Sequence, residues 1–352
     1  MTEEQSTREA LDFLRPFGAE SETFEELLRY LENPYEKPLD VSLPLTDEAH
    51  VAAWREYVAE AEEKGAVATL RNRQVRMRFP VREGMNEEPA YRLSTRSGEM
   101  PPVDMEPAEI VDPEGVELLI AESIAGAVPV IRARDRRDFV TLVQVLARRN
   151  EPQDIPDSMG ACLVKGLTNW DRVARYREAW AAKADDASHT AWQKEFRRIV
   201  PQKELYKDTL LILSHGPYSS LSAADAGRDE AEWLSESLTI RQHHECFHYL
   251  TLRLFGLIRS NLLDEVLADL MGLLAAHDEY REELALTLLE RRLSLYQGDL
   301  SENAFGVIRR LAPRVVSGVA RRVHGAELHG HESTSAFALK LARLGLRRLA
   351  QD

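Results

Sequence analysis

The segment His243-His244-Glu245-Cys246-Phe247-His248 constrains this chain more than any other stretch. In H-E-x-x-H, two histidines four residues apart fall about 40° apart around an α-helix and about 6 Å apart along it, so both imidazoles face one point. That arrangement suits a zinc ion. Catalytic zinc takes three protein ligands and keeps one position for water, so a third ligand must come from elsewhere. Glu265, 17 residues past His248, is the candidate, because the interval lets the first helix end, turn and return as a second helix beside it. Asp269 shares the face of Glu265 one turn later and is placed to accept the outer N–H of a ligand histidine, which fixes the ring's tautomer and orientation. Glu245, beside His244 but not a ligand, becomes the base that takes a proton from the water. His243 lies off the zinc face.

The flanking sequence supports two helices. Ile240, His244, His248, Leu252 and Phe255 recur at helical spacing, and Gly256 is a natural stop. Asn261 followed by Asp264 reads as an N-cap with a capping-box-like acid. The second helix is apolar almost all round and is therefore expected to be buried. Its polar exceptions, Glu265 and Asp269, then need partners, because an unpaired buried carboxylate is very costly. A metal and a ligand histidine would supply them.

From His244 to Gly272 the chain resembles the gluzincin metalloproteases, most closely the thermolysin-like ones. The likeness consists of H-E-x-x-H, then Gly256-Leu257-Ile258, then Asp264-Glu265 with Ala268-Asp269 and Gly272 in the pattern N/D-E-x-x-S/A-D-x-x-G. It implies zinc on His244, His248 and Glu265, Glu245 as the catalytic glutamate and Asp269 as the histidine orienter. It also implies a zincin-like domain with a small mixed sheet, two metal-bearing helices and an all-helical C-terminal half. Two departures stand out. The inter-helix loop is shorter, and Arg259 occupies the position where the family carries a tyrosine that helps hold the transition-state oxygen. An arginine there can serve as an oxyanion donor. The likeness covers about thirty of the 352 residues.

Composition excludes some partners. A net charge of −14 argues against general nucleic-acid binding. Cys162 and Cys246 are the only cysteines, which is no disulfide framework and fits a reducing compartment. The first twenty residues are polar and acidic without a signal-peptide core, and no run of eighteen apolar residues offers a membrane span. A cytoplasmic location is the expectation.

Along the chain, helices are expected over 23–32 and 47–64, with a Pro-bearing loop between them over 33–44. Val75, Met77, Phe79 and Val81 alternate with Arg76 and Arg78, which predicts a half-buried strand with a solvated arginine face. Residues 83–113 lack periodicity and read as a long linker, giving a boundary near residue 110 between an N-terminal α+β region (1–110) and the zincin-like domain (111–352). In that domain the sheet part is expected over 111–231, the active-site helices over 232–276 and a helical part over 277–352. Within the sheet part, a helix is expected over 115–125, strands over 127–132 and 162–165, a helix capped by Asp135, and another opened by Thr168 with Asp171. The loop from Asn150 to Ala161 reads as a plain surface connection. Alternating helix and strand makes the fold class α+β.

Thr209 to Ser214 is the best strand, ending in His215-Gly216. In zincins an edge strand just upstream of the active-site helix pairs with extended substrate, so Ser214, His215 and Gly216 are candidate substrate-binding residues if this strand is an edge. Helices follow over 281–296, 302–310, 314–323 and 333–349. His324, His329 and His331 between the last of them are further candidates to hold an oxyanion. From Ile308 onward the chain carries a net charge of +6, most simply a solvated or internally paired helical face.

The sequence thus points to a zinc-dependent hydrolase acting on a peptide or amide bond of a peptide or protein substrate, with Zn2+ as cofactor, no nucleic acid and no membrane. The alternative is a zinc-stabilised, non-catalytic peptide- or partner-binding protein, in which a fourth ligand such as His215 or Cys246 closes the open position. A metal-free helical scaffold is a third reading.

Overall fold

The first forty-five residues pack with the C-terminal part of the chain. In a computed structural model, Met1–Leu45 and Pro217–Asp352 form one compact unit and Thr46–Gly216 a second. The division therefore falls at residues 45/46 and 216/217, not near residue 110. The structure describes residues 3–37, 40–99, 105–277, 279–326, 328 and 330–351.

The first unit opens with helices α1 (Glu3–Leu14) and α2 (Phe24–Leu31). The second unit begins with α3 (Val51–Lys64), α4 (Ala66–Arg73) and α5 (Pro89–Ser97). It continues through strands β1 (Val116–Ala121) and β2 (Val128–Ala133), helix α6 (Arg136–Leu146), strand β3 (Ala161–Thr168), helices α7 (Trp170–Ala181) and α8 (His189–Ile199), and strand β4 (Lys207–Ser214). The strands form one mixed sheet in the order β1-β2-β4-β3. β4 runs parallel to β2 and antiparallel to β3. It is a central strand, and its residues from Asp208 to Ser214 are all buried. The edge-strand expectation therefore fails, because both sides of β4 already carry a ladder.

Several local expectations are corrected in this unit. The stretch after α4 is no strand: Val75–Arg78 is a 3₁₀ turn, in which Met77 is buried, with Phe79 buried just beyond it. The arginines are not a solvated face, since Arg76 Nη1 donates to Leu146 O at 2.7 Å and Arg78 Nε to Arg71 O at 2.8 Å. Carbonyl acceptors within reach replaced water, so the polar half of the alternation did not need solvent. Helix α5, with Tyr91 and Ser94 buried, lies in the segment read as a linker; residues 100–104 of that segment lie outside the described residues. Within 115–125, Val116–Ala121 form β1 instead of a helix, registered against β2 from Val116 opposite Ala133 to Ala121 opposite Val128. Helix α7 is capped by Asn169, whose Oδ1 accepts from Arg172 N, while Thr168 belongs to β3. Asp135 caps α6 as expected.

The first unit resumes with α9 (Ala223–Ala226), α10 (Glu230–Phe255), α11 (Leu262–His277), α12 (Glu282–Arg292), α13 (Glu302–His324) and α14 (Gly330–Ala350). The stretches 302–310 and 314–323 are one helix that passes through Pro313. α11 is the axis of the unit: every residue from Leu262 to Leu273 is buried, as its apolar sequence demands. Gly256 ends α10 in the left-handed conformation (φ 73°), and Asn261 Oδ1 accepts from Asp264 N at 3.1 Å to open α11. The Asp264 carboxyl does not close a capping box; it receives the Tyr35 hydroxyl. Gly272 sets the approach of the two helices, since a Cβ there would stand 2.5 Å from Ile240 O. No helix among the described residues is long and apolar enough to cross a membrane.

Candidate metal centre

The close approach of α10 and α11 brings His244, His248 and Glu265 together, all buried, with ligand atoms within 4.8 Å of one another. The two Nε2 atoms are 3.1 Å apart. Glu265 Oε2 is 3.4 Å from His244 Nε2, and Oε1 is 3.6 Å from His248 Nε2. Tetrahedral zinc with N and O ligands at about 2.0–2.2 Å sets donor separations of about 3.3–3.6 Å. The two carboxylate distances fall in this range and the imidazole pair, at 3.1 Å, is slightly closer, so the cluster could hold a cation with donors of the type zinc takes.

A second layer orients these donors. His244 Nδ1 is 2.9 Å from Asp269 Oδ1, so in the neutral ring Nδ1 carries the proton and the Nε2 lone pair faces the cluster. Tyr218, just ahead of α9, donates its hydroxyl to the same Oδ1 at 2.7 Å. Arg292, at the end of α12, donates Nη2 to Asp269 Oδ2 at 2.5 Å and holds its guanidinium 4.8 Å from the centre of the Tyr218 ring. Its Nη1 is 3.8 Å from Glu265 Oε2. His248 Nδ1 is buried without a hydrogen-bond partner among the described residues.

Electrostatics follows from this packing. Burial by itself pushes His244 down, but the Asp269 and Glu265 carboxylates outweigh it and raise the ring to about 9. His248 moves down through burial, helped by the neighbouring His244 charge. Burial pushes Glu265 up, yet His244, His248 and Arg292 together hold it at about 2. Asp269 is likewise held below the ordinary carboxylate range against its burial, chiefly by Arg292 and His244. Without a cation, the carboxylates thus favour the charged form of His244 while burial disfavours that of His248.

A family model described as "Family of unknown function (DUF7005)" matches residues 12–352. The chain belongs to this family. No curated protein matches the chain, and no solved structure does. For this DUF7005 member, function has to be read from the chemistry of the site.

Of the residues singled out from sequence, His244, His248, Glu265 and Asp269 converge. Glu245 is half-buried on α10, and its charge acts on His248 and Cys246. Arg259 is elsewhere: its Nη1 donates to Glu32 O at 2.7 Å, beside a cavity of about 740 Å3 lined by residues such as Leu31, Asn33 and Leu346. The arginine that reaches the cluster is Arg292. Cys246 is buried with its thiol pushed up to about 12 by burial, and it is not part of the ligand triangle. Ser214, His215 and Gly216 belong to the sheet unit, where Ser214 N donates to Gly160 O and His215 N to Ala133 O. His324 is exposed on the last turn of α13, with Nδ1 2.8 Å from Ala320 O. His329 and the side chain of His331 lie outside the described residues.

Sequence reasoning missed Tyr218, Arg292 and Tyr296, whose side chain hydrogen-bonds Glu265. The one available signal was Arg292 on the buried stripe of Ala285, Leu288 and Leu289, a charge where that face of the helix is otherwise apolar.

Proposed function

We propose that this protein is a zinc-dependent hydrolase of gluzincin type that cleaves a peptide or amide bond. The observation that carries the reading is the buried cluster of His244, His248 and Glu265, whose Nε2 atoms are 3.1 Å apart with one carboxylate oxygen 3.4 Å from the first and the other 3.6 Å from the second, backed by the Asp269 contact to His244 Nδ1. Zinc bound there would polarise a carbonyl and acidify a water. Asp269 holds the His244 ring and its tautomer. Arg292 and Tyr218 keep Asp269 anionic, and Tyr296 and Arg292 hold Glu265. Glu245 accepts the proton of the attacking water at its carboxylate and returns it to the leaving amine. The zincin-like architecture and a cytoplasmic setting belong to the same proposal, the latter supported by two cysteines, Cys162 and Cys246, that form no disulfide.

One observation favours a second reading. Arg259 is bound to the Glu32 carbonyl and Arg292 is committed to Asp269, so the oxyanion donor expected from sequence is not supplied by Arg259. A zinc-stabilised binding protein that holds a peptide without cleaving it needs no such donor. The test is hydrolysis of a mixed peptide library by zinc-loaded protein and by Glu245→Gln. Cleavage lost in the variant, with zinc retained, supports the hydrolase; zinc without cleavage of any peptide favours the binding protein.

A further inference from the structure

The sheet unit carries a cavity of about 830 Å3 between the end of α5 and helices α7 and α8. Its floor is aromatic. Trp170, Trp192 and Phe196 line it, with the Phe196 ring centre 5.9 Å from Trp170 and 5.8 Å from Trp192. Gly98 (φ 71°) lets the backbone close on this floor: a Cβ there would meet an indole carbon of Trp170 at 2.4 Å. Trp170 Nε1 donates to Thr95 O at 2.9 Å, which fixes the ring.

The rim is basic in a way its surroundings are not. Arg172, Arg175 and Arg198 on α7 and α8 are each ion-paired, to Asp208 at 2.7 Å, Asp171 at 2.7 Å and Glu195 at 2.6 Å. The arginines that line the cavity are Arg96, Arg177 and Arg197, all exposed, and among the described residues none of them pairs with a carboxylate. Arg177 instead holds its guanidinium 5.4 Å from the centre of the Trp192 ring. Glu99 and Glu178 also line the cavity, so the lining keeps a formal excess of one positive charge in a chain of net −14.

We propose that this groove docks an acidic peptide segment bearing an aromatic side chain. The ring lies on Trp170, Trp192 and Phe196, where aromatic contacts add to simple burial. Flanking carboxylates take the open forks of Arg96, Arg177 and Arg197, which match a carboxylate in two-point geometry. Gln193 on the rim keeps its side-chain carbonyl for a peptide N–H while its Nε2 contacts His189, and Ser97 Oγ, which donates to Leu93 O, can still accept. Trp and Arg are the residue types that dominate the energetics of such contacts. The inference does not depend on the metal centre, since every residue in it belongs to the other unit.

The test uses the full chain and a fluorescein-labelled octapeptide of Asp and Glu with one central Phe, read by fluorescence anisotropy. Controls are the same peptide with Lys in place of the acids, and an oligodeoxythymidylate of similar charge. The acidic peptide is expected to bind saturably and more weakly as salt rises. The double variant Arg177→Glu with Arg197→Glu, at exposed positions that leave the circular dichroism unchanged, is expected to raise Kd about tenfold. Equal affinity for the lysine peptide, no change in the double variant, tighter binding of the oligonucleotide, or no binding up to about 1 mM would each overturn the proposal.

Discussion

Two buried ionic clusters in this molecule differ in one respect. In the sheet unit, Asp208 accepts Trp54 Nε1 at 2.8 Å, Asn169 Nδ2 at 2.7 Å and Arg172 Nη1 at 2.7 Å, while Arg172 Nη1 and Nη2 also donate to the carbonyls of Lys207 and Glu204. One acid meets one arginine, and the hydrogen bonds close on themselves. In the helical unit, two carboxylates, Glu265 and Asp269, share one arginine, and two imidazole nitrogens 3.1 Å apart face the same point. Counted with neutral imidazoles, that cluster is one negative charge over and its lone pairs converge; without a cation, the proton held by His244 fills that place. A structural cluster completes its own valences; a ligand site leaves some of them open, at a cost in stability that a bound cation offsets.

The contrast can be broken from either side. The largest effect is expected at Glu245→Gln, which should lower hydrolysis by about 10²–10⁴-fold with zinc content unchanged; an unaltered rate would remove Glu245 from its assigned role. Asp208→Ala leaves Arg172 buried and unpaired, so unfolding in urea should show a loss of about 3–5 kcal/mol, again with zinc content unchanged. If Asp208→Ala also lost zinc, the two clusters would not be independent. Asp269→Asn keeps the shape of the orienting contact but not its charge, and a competitive chelator titration should find zinc affinity weaker by about 10–100-fold.

A change of pH sharpens the comparison without any substitution. The His244 ring, raised to about 9 in the cation-free protein, carries a proton that zinc must displace. Calorimetry in two buffers of different ionisation enthalpy at pH 7 should therefore record release of about one proton per zinc, and affinity should fall about tenfold per unit as pH drops from 9 towards 6.5. For the cation-free protein the sign is the opposite. A histidine whose pKa is raised on folding contributes stability that is complete below its unfolded value near 6.5, so thermal stability should fall as pH rises through about 9. Asp208→Ala should leave both pH responses in place.

The clusters also differ in how far they could be read from sequence. Histidines at i and i+4, Gly256 at a helix stop, Asn261 at a helix start, and two acids on one face of an apolar helix are local patterns with a short-range cause, and they assembled as expected. The shell around them was hidden because Tyr218, Arg292 and Tyr296 arrive from other segments, which only tertiary packing brings to α10 and α11. In the sheet unit the misreadings share a cause. The alternation over 75–81 has the period of a strand, but nearby carbonyls bind Arg76 and Arg78 and leave a 3₁₀ turn. Val116–Ala121 lacks a decisive period, and β2 decides it by pairing. The place of β4 in the middle of the sheet rests on long-range partners that no local pattern records.

The most direct test of the central claim is elemental analysis of the native protein beside Glu265→Ala and Asp208→Ala, all purified without added metal. The triangle requires about one zinc per chain in the native protein and in Asp208→Ala, and a marked loss in Glu265→Ala. No zinc in the native protein after it is offered the ion, or full zinc in Glu265→Ala, would contradict the assignment and return the two helices to a purely structural role.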